Sequence, residues 1–247
     1  MLNSEQFAVL NQHLNNICHS VPYKWGRMQT KEMDRKLPKL YEYETYDELN
    51  AAISHYAERK YITTDDEQNN YYRHRWYVFR CSLGDEYLFK SLPDVIGVEN
   101  NPWFDFTLFN RFNLDLKGTV ILRQYKDDPE YVFRTPLALI DSLYKQQSQD
   151  FRYRRRLQNR LFLVHHSFID PSREPVLRAA FDVKKIIFED YAKLLSSPNH
   201  KLFDYYYDRN ADIIFFVEKP DGTLEYGFGS ENLKGAIKFK QLSTKLT

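Results

Sequence analysis

Two acidic residues and one lysine in a short segment near the middle of the chain could do chemistry together. Asp115 and Lys117 are two residues apart in a stretch that alternates polar and apolar side chains. Successive side chains of a β-strand point to opposite faces, so we expect a strand with Asp115 and Lys117 on one face and Leu114 and Leu116 on the core side. A shorter alternating stretch before it predicts another strand, which carries Asp105.

The turn between these two predicted strands decides whether the three charged groups meet. A three-residue turn over 110–112 sets Asp105 opposite Lys117 and Thr107 opposite Asp115, with all three ionisable groups on one face. A two-residue turn would move Asp105 to the other face. We expect the three-residue turn.

The residue types point to a specific kind of chemistry. Two carboxylates at close range repel each other, and one takes up a proton unless a cation lies between them. A divalent metal bound by hard oxygen ligands is the natural cation. A lysine beside it could orient or help to deprotonate a water, or stabilise the charge of a phosphorane. The set therefore indicates phosphodiester hydrolysis, and the alternative is an exposed strand face with a cross-strand ion pair and no catalytic role.

The same segment resembles the core of the PD-(D/E)XK nuclease superfamily, which includes many restriction endonucleases. The matching residues are Asn101-Pro-x-x-Asp105 for the first acid and Asp115-x-Lys117 for the second half of the motif. The literal dipeptide Pro93-Asp94 lies in a predicted loop rather than a strand, so Asp105 is the preferred first acid. The resemblance covers about residues 71–195.

The resemblance implies a metal site and roles for its residues. The family often adds a glutamate from the helix before the hairpin, and Glu86 stands there, with Asp85 as a weaker candidate. The implied cation is Mg²⁺, with Mn²⁺ as a substitute. Its implied ligands are Asp105, Asp115, Glu86 and the carbonyl of Leu116. Lys117 would position the attacking water, so the implied catalytic residues are Asp105, Asp115, Lys117 and Glu86.

The chain has a net charge of +1, but its surplus positive charge lies in one segment. Residues 131–165 carry seven basic and two acidic residues, a net charge of +5. Phe151 and Tyr153 are interleaved with the basic residues, a pattern typical of a surface that binds a phosphate backbone. The alternative is a solvated helix face that pairs with acids elsewhere in the fold. The candidate nucleic-acid-binding residues are Lys145, Arg152, Arg154, Arg155, Arg156 and Arg160.

Helices and strands that could position these residues follow from the spacing of apolar side chains. The spacing predicts helices over 4–17, from residue 45, and over 70–90, 136–158 and 174–195, with a kink or interruption near Gly84. Ser4 is the predicted cap of the first helix, and Thr45 with Glu48 predicts a capping box at the start of the second. It predicts strands over 104–109, 112–122, 160–166, 212–217 and 223–228. This order predicts an α/β (α+β) fold in which helices flank a central mixed β-sheet. The resemblance implies that its core is restriction-endonuclease-like. We expect a small helical N-terminal segment over 1–64 and the α/β domain over 65–247.

Composition excludes several classes of protein. No apolar run approaches the ~18 residues that a membrane-spanning helix needs, and the first residues lack the order of a signal peptide. Two cysteines cannot make a disulfide framework or a four-thiolate zinc site. We therefore expect a cytoplasmic protein with no membrane partner. The basic segment and the resemblance imply that it binds nucleic acid, with DNA favoured. The resemblance is compatible with a homodimer, since many nucleases of this type that cut both strands act as dimers. The alternative function is a non-catalytic interaction or nucleic-acid-binding protein on a nuclease-like scaffold.

Overall fold

A computed structural model describes residues 2–22, 40–60, 67–99, 101, 104–147, 159–197, 211–230, 235–244 and 246. In these parts of the chain, seven strands form one sheet and seven α-helices flank it. The strands are β1 (Val95–Gly97), β2 (Phe106–Leu108), β3 (Phe112–Val120), β4 (Arg160–Ser167), β5 (Ala211–Glu218), β6 (Leu224–Ser230) and β7 (Phe239–Gln241). The helices are α1 (Ser4–Ile17), α2 (Tyr46–Lys60), α3 (Glu67–Lys90), α4 (Glu130–Arg134), α5 (Pro136–Gln147), α6 (Glu174–Ala179) and α7 (Phe181–Ser196).

The sheet is mixed, and its strands lie side by side in chain order. The first three strands form an antiparallel meander, and so do the last three. At the centre, β4 runs parallel to both β3 and β5. Parallel neighbours need a crossover connection, and helices lie in both crossovers. This arrangement confirms the predicted α/β fold with a central mixed sheet flanked by helices.

Helices cover both faces of the sheet, so the sheet separates two apolar cores. The larger core contains residues of α1, α2, α3, α6 and α7, and takes Leu114 and Leu161 from the sheet. The smaller core contains residues of α4 and α5, and takes Phe162 from the opposite face. Because side chains alternate along a strand, Asp115 and Lys117 lie on the face of the smaller core.

The described N-terminal helices belong to the larger core. The ring of Phe7 on α1 stacks on Tyr87 of α3, with 4.3 Å between the ring centroids. On α2, Leu49 and Ile53 are fully buried in the same core. Both predicted N-terminal helices are therefore present, and they pack against the helix that precedes the hairpin.

Some predicted helices differ from the structure. Helix α3 runs unbroken through Gly84, so the predicted interruption was wrong. A Cβ at Gly84 would lie 2.4 Å from Cε1 of Phe181, so the glycine lets α7 approach closely rather than kinking α3. The single helix predicted over 174–195 is two helices that meet at Ala180. Of the helix predicted over 136–158, the part beyond residue 147 lies outside the described residues.

Candidate active site at the β2–β3 hairpin

The loop of the hairpin begins one residue earlier than the turn predicted over 110–112. It consists of Phe109–Arg111, and φ angles of 55° at Phe109 and 50° at Asn110 close it. Phe112 is therefore the first residue of β3, and its ring is buried in the larger core. The predicted register was wrong by two residues, because Thr107 lies opposite Asn113.

Three charged groups nevertheless share one face, because a shift of two residues keeps the alternation of side chains. Asp105 lies just before β2, where its backbone N–H donates to the carbonyl of Leu114 at 2.9 Å. This places Asp105 beside Asp115. The Nζ of Lys117 lies 2.6 Å from Oδ1 of Asp115 and 3.7 Å from Oδ2 of Asp105. The structure therefore brings Asp105, Asp115 and Lys117 into one cluster.

A second cation reaches this cluster from the neighbouring strand. The parallel register sets Arg160 of β4 beside Asp115 of β3, and Nε of Arg160 lies 3.0 Å from Oδ2 of Asp115. The Arg160 side chain is only 2% exposed, and its guanidinium lies over the ring of Tyr144 on α5, 5.4 Å from the centroid. Asp115 is thus buried between two cations, Lys117 and Arg160. The prediction of Arg160 as an exposed phosphate contact does not match its burial.

The acid–base behaviour of the cluster reflects this crowding. Burial and a side-chain hydrogen bond with Asp115 raise the pKa of Asp105 to about 7, although the charge of Lys117 opposes the shift. Burial lowers the pKa of Lys117, but the charges of Asp115 and Asp105 outweigh it, and the net shift is upward. At neutral pH, Lys117 is therefore charged, while Asp105 is close to half protonated.

The two acidic candidates on α3 face different surroundings. Burial raises the pKa of Glu86, and the charges of Lys117 and Asp115 also act on it, so Glu86 lies in the electrostatic field of the cluster. Asp85 is 2% exposed and forms an ion pair with Lys184 of α7. Asp85 is therefore engaged in the interior. Leu116 packs its side chain into the larger core between the two site residues of β3.

The oxygen atoms of the cluster fit a divalent cation in part. Oδ2 of Asp105 is buried without a hydrogen-bond partner, and the neighbouring Asp115 contributes to the raised pKa of Asp105. A cation between the two carboxylates would replace the proton on Asp105 and satisfy the buried oxygen. Across the described ranges, however, no group of three or more His, Cys, Asp or Glu side chains is arranged to hold a metal ion. The side chains that suit a divalent cation are therefore the carboxylates of Asp105 and Asp115, with Glu86 nearby.

The other candidate nucleic-acid contacts are described only in part. Lys145 is exposed in the last turn of α5. Arg152, Arg154, Arg155 and Arg156 lie outside the described residues. The basic segment therefore enters the described structure through Lys145 at one end and the buried Arg160 at the other.

The ion pair between Arg160 and Asp115 was not predicted from the sequence. The signal was present in part, since an arginine stood at the first position of a predicted strand beside the carboxylate hairpin. Only the parallel register of β3 and β4 turns that position into a contact.

The described helices include none that is both long enough and apolar enough to cross a membrane. No family model matches the chain, and no curated protein or solved structure is found to match it.

Proposed function

We propose that this chain is a Mg²⁺-dependent nuclease that hydrolyses phosphodiester bonds in nucleic acid, with DNA as the favoured substrate. The observation that carries the proposal is the cluster of Asp105, Asp115 and Lys117 on one face of the hairpin. Two neighbouring carboxylates, one with a raised pKa, beside a partly exposed ammonium group suit a divalent cation and a phosphate better than a purely structural role.

Each residue has a distinct task in this proposal. Bound Mg²⁺, or Mn²⁺ in its place, would supply Lewis-acid activation of the phosphate and of water. Asp105 and Asp115 would hold it, with Glu86 and the carbonyl of Leu116 completing the set. Arg160 fixes the carboxylate of Asp115 from the buried side.

Lys117 is placed to act on the reacting groups. Its side chain is 41% exposed, while the carboxylate that holds it is buried. Its ammonium can therefore orient a water or stabilise negative charge that develops on the phosphate. Lys145 and the arginines over 152–156 would bind phosphates on either side of the scissile bond. We infer a cytoplasmic location, and a homodimer would allow cleavage of both strands.

Cleavage of plasmid and linear DNA with Mg²⁺ or Mn²⁺ tests the proposal. Lys117→Ala and Asp115→Ala should each lower the cleavage rate by about 100-fold or more, because each removes a charged group from the reaction centre. Asn113→Ala is the matched control, since Asn113 is exposed on the same face of β3 outside the cluster. Full activity in both site variants would refute the proposed reaction.

A second candidate is a non-catalytic protein that binds nucleic acid or a partner on a similar scaffold. The ion pairs of Asp115 with Lys117 and Arg160 favour it, because they already neutralise that carboxylate. This candidate predicts DNA binding that weakens steeply with salt, without turnover. It also predicts that calorimetry with Mg²⁺ and Mn²⁺ detects no binding that depends on Asp105.

A further inference from the structure

A network of buried charged groups lies behind the candidate active site, on the other face of the sheet. Lys184 of α7 pairs with Asp85 of α3, and Arg178 of α6 pairs with Glu174. All four side chains are at most 4% exposed. Burying an ion pair costs several kcal/mol per ion by desolvation, so such groups need complete hydrogen bonding. Two positive and two negative charges leave the network electrically balanced.

The network is not completely hydrogen bonded. Oδ2 of Asp85, Nη1 of Arg178 and Nε2 of His165 are buried and have no hydrogen-bond partner. Two of these atoms and the ring of His165 lie around Gly118 of β3. A Cβ added there would lie 3.0 Å from Nη1 of Arg178, 3.7 Å from Oδ2 of Asp85 and 3.9 Å from Cε1 of His165. Unsatisfied buried polar atoms are rare in folded proteins, and a cluster of three calls for a shared partner.

The hydrogen-bonding roles of the three atoms define that partner. Nδ1 of His165 lies 3.1 Å from the carbonyl oxygen of Thr119, which can only accept, so Nδ1 carries the proton. Burial keeps the pKa of His165 well below its ordinary value, so the ring is neutral and its Nε2 is an acceptor. The carboxylate of Asp85 also accepts, while Arg178 donates. The missing partner must therefore donate two hydrogen bonds and accept one.

We propose that a single buried water occupies this site and bridges Arg178, Asp85 and His165. Water has two donors and accepts readily, and a neutral molecule suits a charge-balanced network.

The water would join the elements that carry the candidate active site. Asp85 precedes Glu86 on α3, and Gly118 follows Lys117 on β3. A water bonded to Asp85, Arg178 and His165 would join α3, α6 and β4 directly behind Gly118 of β3. The inference does not depend on the proposed nuclease function, because it concerns the folding and hydration of the network alone.

A crystal structure at high resolution tests the site directly. We expect a solvent peak within hydrogen-bond distance of Nη1 of Arg178, Oδ2 of Asp85 and Nε2 of His165. Oxygen-17 relaxation dispersion in solution should detect the same long-lived water in the wild-type protein. An empty site, a direct bond between Arg178 and Asp85, or a peak replaced by bromide on soaking would overturn the assignment to water.

Two substitutions at Gly118 give a matched comparison. Both Gly118→Ser and Gly118→Ala add a Cβ at the same position and displace the water. Only serine supplies a hydroxyl that can donate to an acceptor of the network and accept from Arg178. We expect the serine variant to melt at least about 2 °C above the alanine variant. Equal melting temperatures, or a more stable alanine variant, would overturn the proposal.

Discussion

At the scale of single residues, the properties of the site come from burial rather than from residue type. The same two carboxylates on an open strand face would both be ionised at neutral pH. Here Asp105 is partly desolvated beside Asp115, and its pKa rises to about 7. Asp115 instead pairs with two cations, Lys117 and Arg160, so the two carboxylates of the cluster differ in their surroundings.

The raised pKa of Asp105 predicts how the stability of the protein depends on pH. A carboxyl group whose pKa lies above its ordinary 3.8 binds its proton more tightly in the folded state. Asp105 therefore favours folding at low pH, and this contribution is lost as the pH rises towards about 7. Asp105→Asn stays neutral, so the variant should gain stability relative to wild type as the pH rises from about 4 to about 7, and the difference should stay constant above about pH 7. Urea denaturation across this range measures the difference.

The control for this titration is Asp127→Asn. The Asp127 side chain is 92% exposed, so its contribution should not change over the same range. A constant difference between wild type and Asp105→Asn would show that Asp105 titrates normally. In a metal-binding assay, the same proton should weaken Mg²⁺ binding below about pH 7.

The Arg160–Asp115 pair predicts a large effect from a residue first expected to bind phosphate. Arg160→Met leaves a buried carboxylate with one of its two cations, which should cost about 3–5 kcal/mol in the free energy of unfolding. Arg134→Met removes an exposed pair with Asp128 and should cost less than about 1 kcal/mol. Urea denaturation of both variants makes the comparison, and similar losses would show that Arg160 is not engaged in the interior.

At the scale of elements, the spacing of apolar residues and the capping residues predicted the features that depend on local sequence, such as the helices. The predicted capping box of α2 is present, because Glu48 N–H donates to Oγ1 of Thr45 and Thr45 N–H donates to the Glu48 carboxylate. For α1 the cap is Asn3 rather than the predicted Ser4. The hairpin loop was misplaced because nothing in its residue types marks Phe109 as left-handed.

Gly84 shows why a local pattern can mislead. Glycine inside a helix lowers helix propensity, which favoured a kink, but tertiary packing decides its role here. Gly84→Ala should destabilise the protein by about 1–3 kcal/mol, because the methyl group would overlap the ring of Phe181. The double variant with Phe181→Leu should lose less than the sum of the single losses. Additive losses in thermal or urea denaturation would place the cost elsewhere.

At the scale of the whole molecule, burial of both faces of the sheet sets the environment of every central residue. His165 and His166 are adjacent on β4, so their side chains point to opposite faces of the sheet. Both are buried, at 1% and 6% exposure, because helices cover both faces. Which neighbouring element covers a strand is a property of the assembled fold. Neither the burial of both histidines nor the proposed water beside Gly118 could therefore be predicted from the spacing of residues.

The N-terminal helices provide a test of how far the cooperative unit extends. Leu14 of α1 is fully buried in the same core as α3 and the sheet, whereas Val9 on the same helix is 64% exposed. If the core unfolds as one unit, Leu14→Ala should lower global stability by about 2–5 kcal/mol, and Val9→Ala should change it little. Native-state hydrogen exchange of the β4 and β5 amides measures this, because their protection reports global unfolding. Unchanged protection in Leu14→Ala, with loss confined to α1, would mean that α1 unfolds independently of the sheet.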